Sequence, residues 1–459
     1  MTQPGSNVRA LAVRIARRRR RDGEFLEDVL DRMLDSAEGR ALDPRDRGLL
    51  TELVLGSCRR RVTLDYLLAK FASRPIDRIQ PELLEILRQA VYQMVFLSRV
   101  PTRAAVAEAV DLAKTLSNTA LGGFANAVLR ALAGAIEDRG PSESANEAIL
   151  VEQGFAVRFR TGVLPDPERD PVECLSVVGS MPRVLVERWL VRWDRCQVRR
   201  ILAASNEVPG VYVHPNGLRT DEASLSKALA AEGRELIAGA VEGFWRIRPS
   251  EGLKELAAFR EGLFWVMDPA GARAVRALAP RPGERLLDLC SAPGGKVALA
   301  AEAMGDRGEI VAIDISAARL LRVTENLQRL GVSSVRILEK DSRQVDKRTG
   351  GLFDGVLADV PCSNTGVLRR RVEARHRFLP DNLKQLKELQ TELLRAAVRV
   401  ARPGGRVVYS TCSIEPEENE EVVREVAEGS GSLEVQEMRT FPPEPTGADG
   451  GFVARLVVS

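Results

Sequence analysis

The chain has 459 residues, of which 44% are hydrophobic and 29% charged, with a formal net charge of +3. That length exceeds one ordinary domain and predicts two or three, with enough apolar residues for real cores. No apolar run reaches the ~20 residues that span a bilayer, and no apolar stretch with a small-residue cleavage site follows the N-terminal arginines, so a soluble, cytoplasmic protein is expected.

Residues 1–140 read as a helical bundle. They carry 23 Lys and Arg against 18 Asp and Glu, and the excess contains the run Arg17-Arg18-Arg19-Arg20-Arg21. Such a run attracts phosphates, although a solvated helix end in an arginine-heavy chain is the plainer explanation. Between Pro101 and Asn118 the apolar residues Val106, Ala109, Val110, Ala113 and Leu116 fall at helical spacing. Similar runs cover Leu50–Leu68 and Pro81–Leu97, and Gly122-Gly123 is expected to break the chain before a further helix through Leu132. The polar stretch Arg139–Asn146 opens a linker over 141–169. Residues 170–265 mix a helix, Val184–Trp193, with strand-like runs such as Val211–Val213, and read as a small α+β domain.

From 266 to 459 strands and helices alternate. Arg285–Leu289, Glu309–Asp314, Val335–Leu338, Val356–Asp359 and Arg406–Ser410 are apolar strand candidates, with helices through Met304, over Ala318–Leu330 and over Asp381–Val400. This pattern predicts a mostly parallel sheet covered on both faces. In such sheets ligands sit at the carboxyl ends of the strands. The first strand ends in Asp288-Leu289-Cys290-Ser291-Ala292-Pro293-Gly294-Gly295-Lys296, and Asp314 ends the second. The loop lacks the Gly-x-Gly-x-x-Gly of a dinucleotide site. It also lacks the first glycine and the final Ser or Thr of a phosphate-binding loop. S-adenosylmethionine has a ribose but no phosphate, and needs only a tight glycine turn plus acids. Asp288, Asp314 and Asp341 stand at or just after successive strand ends, as that ligand requires.

Six cysteines, Cys58, Cys174, Cys196, Cys290, Cys362 and Cys412, form no Cys-x-x-Cys pair, and His214 and His376 are the two histidines. No zinc or other metal site is expected, and disulfides are disfavoured in a cytosolic chain. A buried lone cysteine is usually a small hydrophobe. Cys362 and Cys412, however, each follow a strand end on the edge that carries the glycine loop, flanked by small polar residues.

The segments LDLCSAPGGK, LADVPCSNTGVLRRR and YSTCSIEPEENEEVV, with the closing Gly450-Gly451-Phe452-Val453-Ala454, resemble the signature segments of RNA 5-methylcytosine methyltransferases. The N-terminal DRGLLTELVLGSCRRR, RVPTRAAVAEAVDLAK and GGFANAVLRAL are similar to a NusB-type RNA-binding domain. Together they resemble the bacterial Sun/RsmB (Fmu) group, which acts on small-subunit ribosomal RNA. The resemblance implies three parts: a NusB-like all-α bundle, a small α+β middle domain, and a Rossmann-like class I methyltransferase domain. It implies that Cys412 is the nucleophile and that Cys362 is linked to product release. By the same resemblance Cys290, Ser291, Ala292, Pro293, Gly294, Gly295, Lys296, Asp314, Asp341 and Asp359 line the S-adenosylmethionine site, with Asp359 also facing the base and Lys296 orienting substrate. The need for a thiol follows from the chemistry: carbon 5 of cytosine is a poor nucleophile until a thiolate adds to carbon 6.

Two positions depart from the group's pattern. Arg371-Val372-Glu373 stands where a proline is common, and His214-Pro215-Asn216 where Arg-x-Asn is usual. Both lie in regions expected to meet RNA. The partner implied is small-subunit ribosomal RNA, bound by a monomer with no membrane contact. Transfer RNA as the target, or a silent NusB-like regulatory protein, are the competing readings; retention of both thiols, Lys296 and the acids argues against the second.

Overall fold

The computed structural model describes residues 8–22, 25–116, 119–141, 148–152, 155–239, 241–346, 351–431 and 433–459. The side chains of Arg18–Arg21, residue Asn118 and residues 142–147 of the expected linker lie outside the described set. The chain forms two compact units, one running to Glu207 and including Leu368–Arg377, the other comprising Val208–Val367 and Phe378–Ser459.

The first unit is built around the helix Pro81–Phe96, whose residues Leu83–Phe96 are all buried. A helix buried all round must be the centre of its bundle. Its buried Arg88 is neutralised by Asp65 at 2.6 Å and Glu85 at 2.8 Å. The surrounding helices include Val8–Asp22, Leu26–Asp35, Arg61–Phe71, Thr102–Leu116 and Thr119–Ala135. The expected Leu50–Leu68 helix is interrupted by a wider turn over Glu52–Gly56. Gly122-Gly123 does not break the chain: Thr119–Ala135 runs straight through it. A Cβ on Gly122 would lie 2.6 Å from Lys114 Cγ, so this glycine permits close approach to the preceding helix.

The expected linker is also corrected. Strands β1 (Ile136–Pro141), β2 (Ala148–Glu152) and β3 (Phe155–Phe159) form an antiparallel sheet in the order β1-β3-β2. Buried Ile149, Val157 and Phe159 join the helical core, which explains why these short apolar runs fold instead of remaining a spacer. The helices Pro171–Val178, Arg183–Arg192 and Arg195–Asn206 complete this unit, so the expected middle domain is divided near Glu207.

Val372 is 1% exposed in this same core, and Glu373 accepts the Leu26 N–H at 2.8 Å. The segment expected to meet RNA is therefore interior at Val372. Beside it Arg375 is fully buried with no carboxylate partner among the described residues. Its guanidinium donates to the carbonyls of Arg59 at 3.0 Å, Ser180 at 3.2 Å, Ser205 at 2.7 Å, Leu368 at 3.1 Å and Val372 at 3.2 Å, and to Asn206 Oδ1 at 3.0 Å. Burial lowers its pKa to about 9. Arg375→Ala orphans several buried carbonyls at once and should destabilise this unit by about 3 kcal/mol. A urea midpoint equal to wild type would contradict that role.

The second unit opens with β4 (Tyr212–Pro215), β5 (Glu235–Ala238), β6 (Trp245–Arg248) and β7 (Phe264–Val266), an antiparallel sheet ordered β5-β6-β4-β7. His214, the second departure, is a packing residue. Its ring nitrogens lie 2.6 Å from Gly243 O and 3.0 Å from Glu302 Oε2, and its ring is 4.7 Å from that of Trp265.

The larger sheet contains β8 (Arg285–Asp288), β9 (Glu309–Asp314), β10 (Val335–Glu339), β11 (Phe353–Asp359), β12 (Ala401–Thr411), β13 (Leu433–Phe441) and β14 (Gly451–Val458). Its order is β10-β9-β8-β11-β12-β14-β13, parallel except for the pairs that β14 makes with β12 and β13. Side chains alternate across it. Leu287, Val311, Ile313, Val356 and Ala358 pack on the face that also buries Leu393 and Leu394 of the helix Pro380–Val400. Leu286, Ile310, Ala312 and Leu357 pack on the other, with the helices Pro269–Leu278, Gly295–Ala303 and Ala317–Leu330. Strand order reverses between β8 and β11, which is where a doubly wound sheet opens a ligand crevice. Among the described residues no helix is long and apolar enough to cross a membrane.

Candidate active site

At the reversal, β8 ends at Asp288 and the chain turns through Leu289–Gly294 into the helix Gly295–Ala303. Gly294 has φ +101°, a conformation that strains any other L residue. The Ser291 N–H donates to Ile313 O at 2.9 Å and the Gly294 N–H to Ser291 O at 2.8 Å, which curls the loop against β9. A cis peptide joins Ala292 to Pro293. Cys290 packs against the sheet core, and burial pushes its thiol far up in pKa.

The acids occupy successive strand ends. Asp288 is 4% exposed, and burial, followed by repulsion from Asp359, pushes its pKa up to about 7. Asp314 is buried; its Oδ1 accepts the Ser316 N–H at 3.0 Å and pairs with Arg319 at 3.0 Å. Asp341 follows β10, and Arg343 holds it, donating from Nη2 to Oδ2 at 2.7 Å and lowering the carboxyl pKa. Ser342 Oγ donates to Leu289 O, tying the Asp341 turn to the β8 loop.

Parallel pairing of β11 and β12 sets Asp359 opposite Ser410. Asp359 Oδ1 accepts from Ser410 Oγ at 2.5 Å and Oδ2 from Lys296 Nζ at 2.6 Å. Burial opposes the Lys296 charge, but Asp359, with Asp288 and Cys412 behind it, outweighs that cost and the ammonium pKa is raised. Beyond those strand ends the two cysteine loops converge. Cys362 Sγ lies 3.0 Å from Cys412 Sγ, and Cys412 Sγ lies 3.1 Å from Asn364 Oδ1, to which it donates. Both thiols are free. The contact with Cys412, reinforced by burial, holds the Cys362 thiol well above the usual range.

The loop after Cys362 is pressed onto the loop that carries Cys412. The Gly366 N–H donates to Cys412 O at 2.9 Å, and the Gly450 N–H to Gly366 O at 2.9 Å. A Cβ on Gly366 would lie 2.8 Å from Cys412 O and 2.7 Å from Gly450 C, so no side chain fits there. The structure thus brings Lys296, Asp359, Cys362 and Cys412 to one edge, with the glycine loop, Asp314 and Asp341 on the adjacent strand ends.

Residues 275–457 match the family model for the 16S rRNA methyltransferase RsmB/F, and residues 6–134 that of the NusB family. A probable ribosomal RNA small subunit methyltransferase B from Synechocystis is 32% identical over 469 residues, covering 98% of this chain and 99% of the relative. The ribosomal RNA small subunit methyltransferase B of Pseudomonas syringae is 31% identical over 432 residues, covering 90% and 89%. The chain belongs to the RsmB/F family of methyltransferases. The crystal structure of PH0851 has the same fold, with a TM-score of 0.77 at 23% identity over 100% of this chain and 99% of that one.

As an RsmB/F methyltransferase the protein takes S-adenosylmethionine as cofactor, and the β8 edge fits it. Ser291 Oγ is buried in the glycine loop with no hydrogen-bond partner among the described residues, a polar atom that awaits one. Ile315, next to Asp314, is 62% exposed, an apolar surface that a planar base would cover. Among the described residues no group of three or more His, Cys, Asp or Glu could hold a metal ion.

Sequence reasoning missed what supports the RsmB/F thiols: Asn364, Gly366 and, above all, Glu418. Glu418 is fully buried, accepting the Ser363 N–H at 2.8 Å and Ser413 Oγ–H at 2.5 Å. Burial raises its pKa against the pull of those hydrogen bonds. The signal present in sequence was the serine that follows each of the two cysteines.

Proposed function

We propose that this RsmB/F methyltransferase methylates carbon 5 of a cytosine in 16S ribosomal RNA through a covalent bond between Cys412 and carbon 6. The observation that carries the reading is the pair of free thiols 3.0 Å apart, beside the Asp359–Lys296 pair. In this reading the Cys412 thiolate adds to carbon 6, and the ring electrons become available at carbon 5. Asp359, held by Lys296 and Ser410, binds the N3/N4 edge of the base and stabilises the electron-rich ring. Bound S-adenosylmethionine supplies an electrophilic methyl group on a sulfonium. Carbon 5 takes that methyl group, its proton then passes to solvent as the 5,6 double bond re-forms, and the Cys412 sulfur leaves as a thiolate. Cys362 assists that release. The glycine loop Cys290–Gly295 with Lys296, Asp314, Asp341 and Asp359 lines the cofactor side.

Ribosomal RNA is favoured as the target by the near full-length relatives named for it and by the NusB match at residues 6–134. Bisulfite mapping of 16S rRNA tests it. In a strain lacking this gene, one protected cytosine should become convertible, and the wild-type gene should restore protection. Unchanged 16S rRNA with a lost site in transfer RNA would instead establish the transfer RNA reading.

A further inference from the structure

Two chemically identical thiols must be held close without either being displaced, and the loops that carry them come from different strands. The sequence places a serine directly after each, Ser363 and Ser413, and the fold brings both onto one carboxylate. Glu418 Oε1 accepts the Ser363 N–H at 2.8 Å and Gln390 Nε2–H at 3.1 Å. Its Oε2 accepts from Ser413 Oγ at 2.5 Å and from Ser363 Oγ. Gln390 also donates to Pro361 O at 2.8 Å, directly before Cys362. Ser413 Oγ further accepts the Glu415 N–H at 3.0 Å and lies 3.1 Å from Thr365 Oγ1. The carboxylate is fully buried, and its hydrogen-bond donors among the described residues are the neutral groups of Ser363, Ser413 and Gln390. A buried charge is costly, and hydrogen bonds from both loops are what compensate it. An apolar brace would fold the turn at lower cost. It would not couple the two loops to one another.

We propose that Glu418 is a positioning residue for the thiol pair: it fixes the separation of Cys362 and Cys412 by binding the serine that follows each. The kinetic part of this proposal rests on the two-thiol reaction given above; the geometric part does not. Both can be read on the full-length chain. Diamide oxidises two adjacent thiols to a disulfide, their two hydrogens reducing its N=N bond to a hydrazine, and peptide mass mapping reports which cysteines are joined. Wild type should form the Cys362–Cys412 link readily. Glu418→Ala should slow that link, and multiple-turnover methylation with it, by on the order of tenfold or more, with S-adenosylmethionine affinity unchanged. Glu418→Gln keeps an acceptor for the Ser363 N–H and should recover part of both.

A merely structural Glu418 would lower the melting temperature of the alanine variant while its folded fraction cross-links at the wild-type rate, and that result overturns the proposal. Should Glu418→Ala fail to fold, Ser413→Ala removes a single donor and must still slow the link; an unchanged rate overturns the proposal equally. Slowed cross-linking with multiple turnover at the wild-type rate would uphold the positioning and overturn the two-thiol reaction instead.

Discussion

Replacing Cys412 with alanine should abolish methyl transfer, by on the order of 10^4-fold or more, as loss of a covalent nucleophile does. The change removes one sulfur from the loop that follows β12. It leaves the glycine loop, Asp314 and Asp341 in place, since these stand at or just after the ends of β8, β9 and β10. S-adenosylmethionine should therefore bind with wild-type affinity by calorimetry. That combination, silent chemistry with intact cofactor binding, separates a nucleophile from a folding residue. The partner left behind, Asn364 Oδ1, loses one donor, a small cost at a half-buried site. Methyl transfer at the wild-type rate would end the covalent assignment.

Cys362→Ala should behave in the opposite way. In the proposed reaction, addition to carbon 6 and methyl transfer need only Cys412, whereas release is given to Cys362. The variant should accumulate protein joined to RNA, as a gel shift that survives denaturation and is absent when Cys412 is also replaced. Turnover should fall by roughly 100-fold, the usual scale for loss of one assisting proton-transfer group. Normal turnover with no trapped species would remove Cys362 from the reaction. The two thiols are 3.0 Å apart and of one residue type, so only opposite phenotypes of this kind can show that they divide the work.

The inner parallel strands β8, β9, β11 and β12 were legible in sequence because they are covered on both faces and read as apolar runs. The edge strand β10 shows only Val335, Ile337 and Leu338 beside exposed Arg336 and Glu339. β8, β9, β10, β11 and β12 stand where those runs predicted. β13 did not announce itself: it is an edge strand whose Glu434 and Glu437 face solvent, so its pattern reads as polar. β1–β3 were hidden by Gly and Pro punctuation that signals a linker, although the apolar residues after it close the core of the first unit. Gly122-Gly123 misled for the opposite reason, since tertiary packing overrides the weak helix propensity of glycine.

The site shows the same division. Strand-end placement is a property of local sequence, and it brought out the glycine loop, the acids and both thiols. Glu418 sits in Glu417-Glu418-Asn419-Glu420-Glu421, an acid run that reads as a solvated face. Only the three-dimensional arrangement shows that this one acid points inward, onto two serines 50 residues apart. The departures at Val372 and His214 likewise looked like changes in an RNA-binding surface and are packing residues.

The central claim, attack of Cys412 on carbon 6 of a cytosine, is tested most directly with 16S RNA carrying 5-fluorocytosine. Fluorine at carbon 5 cannot leave as a proton does, so the reaction should stop after methyl transfer with the enzyme still attached. Digestion and mass spectrometry should then find one methylated fluorocytidine bonded to the peptide that contains Cys412. No adduct, or an adduct on Cys362 or any other residue, would contradict the account.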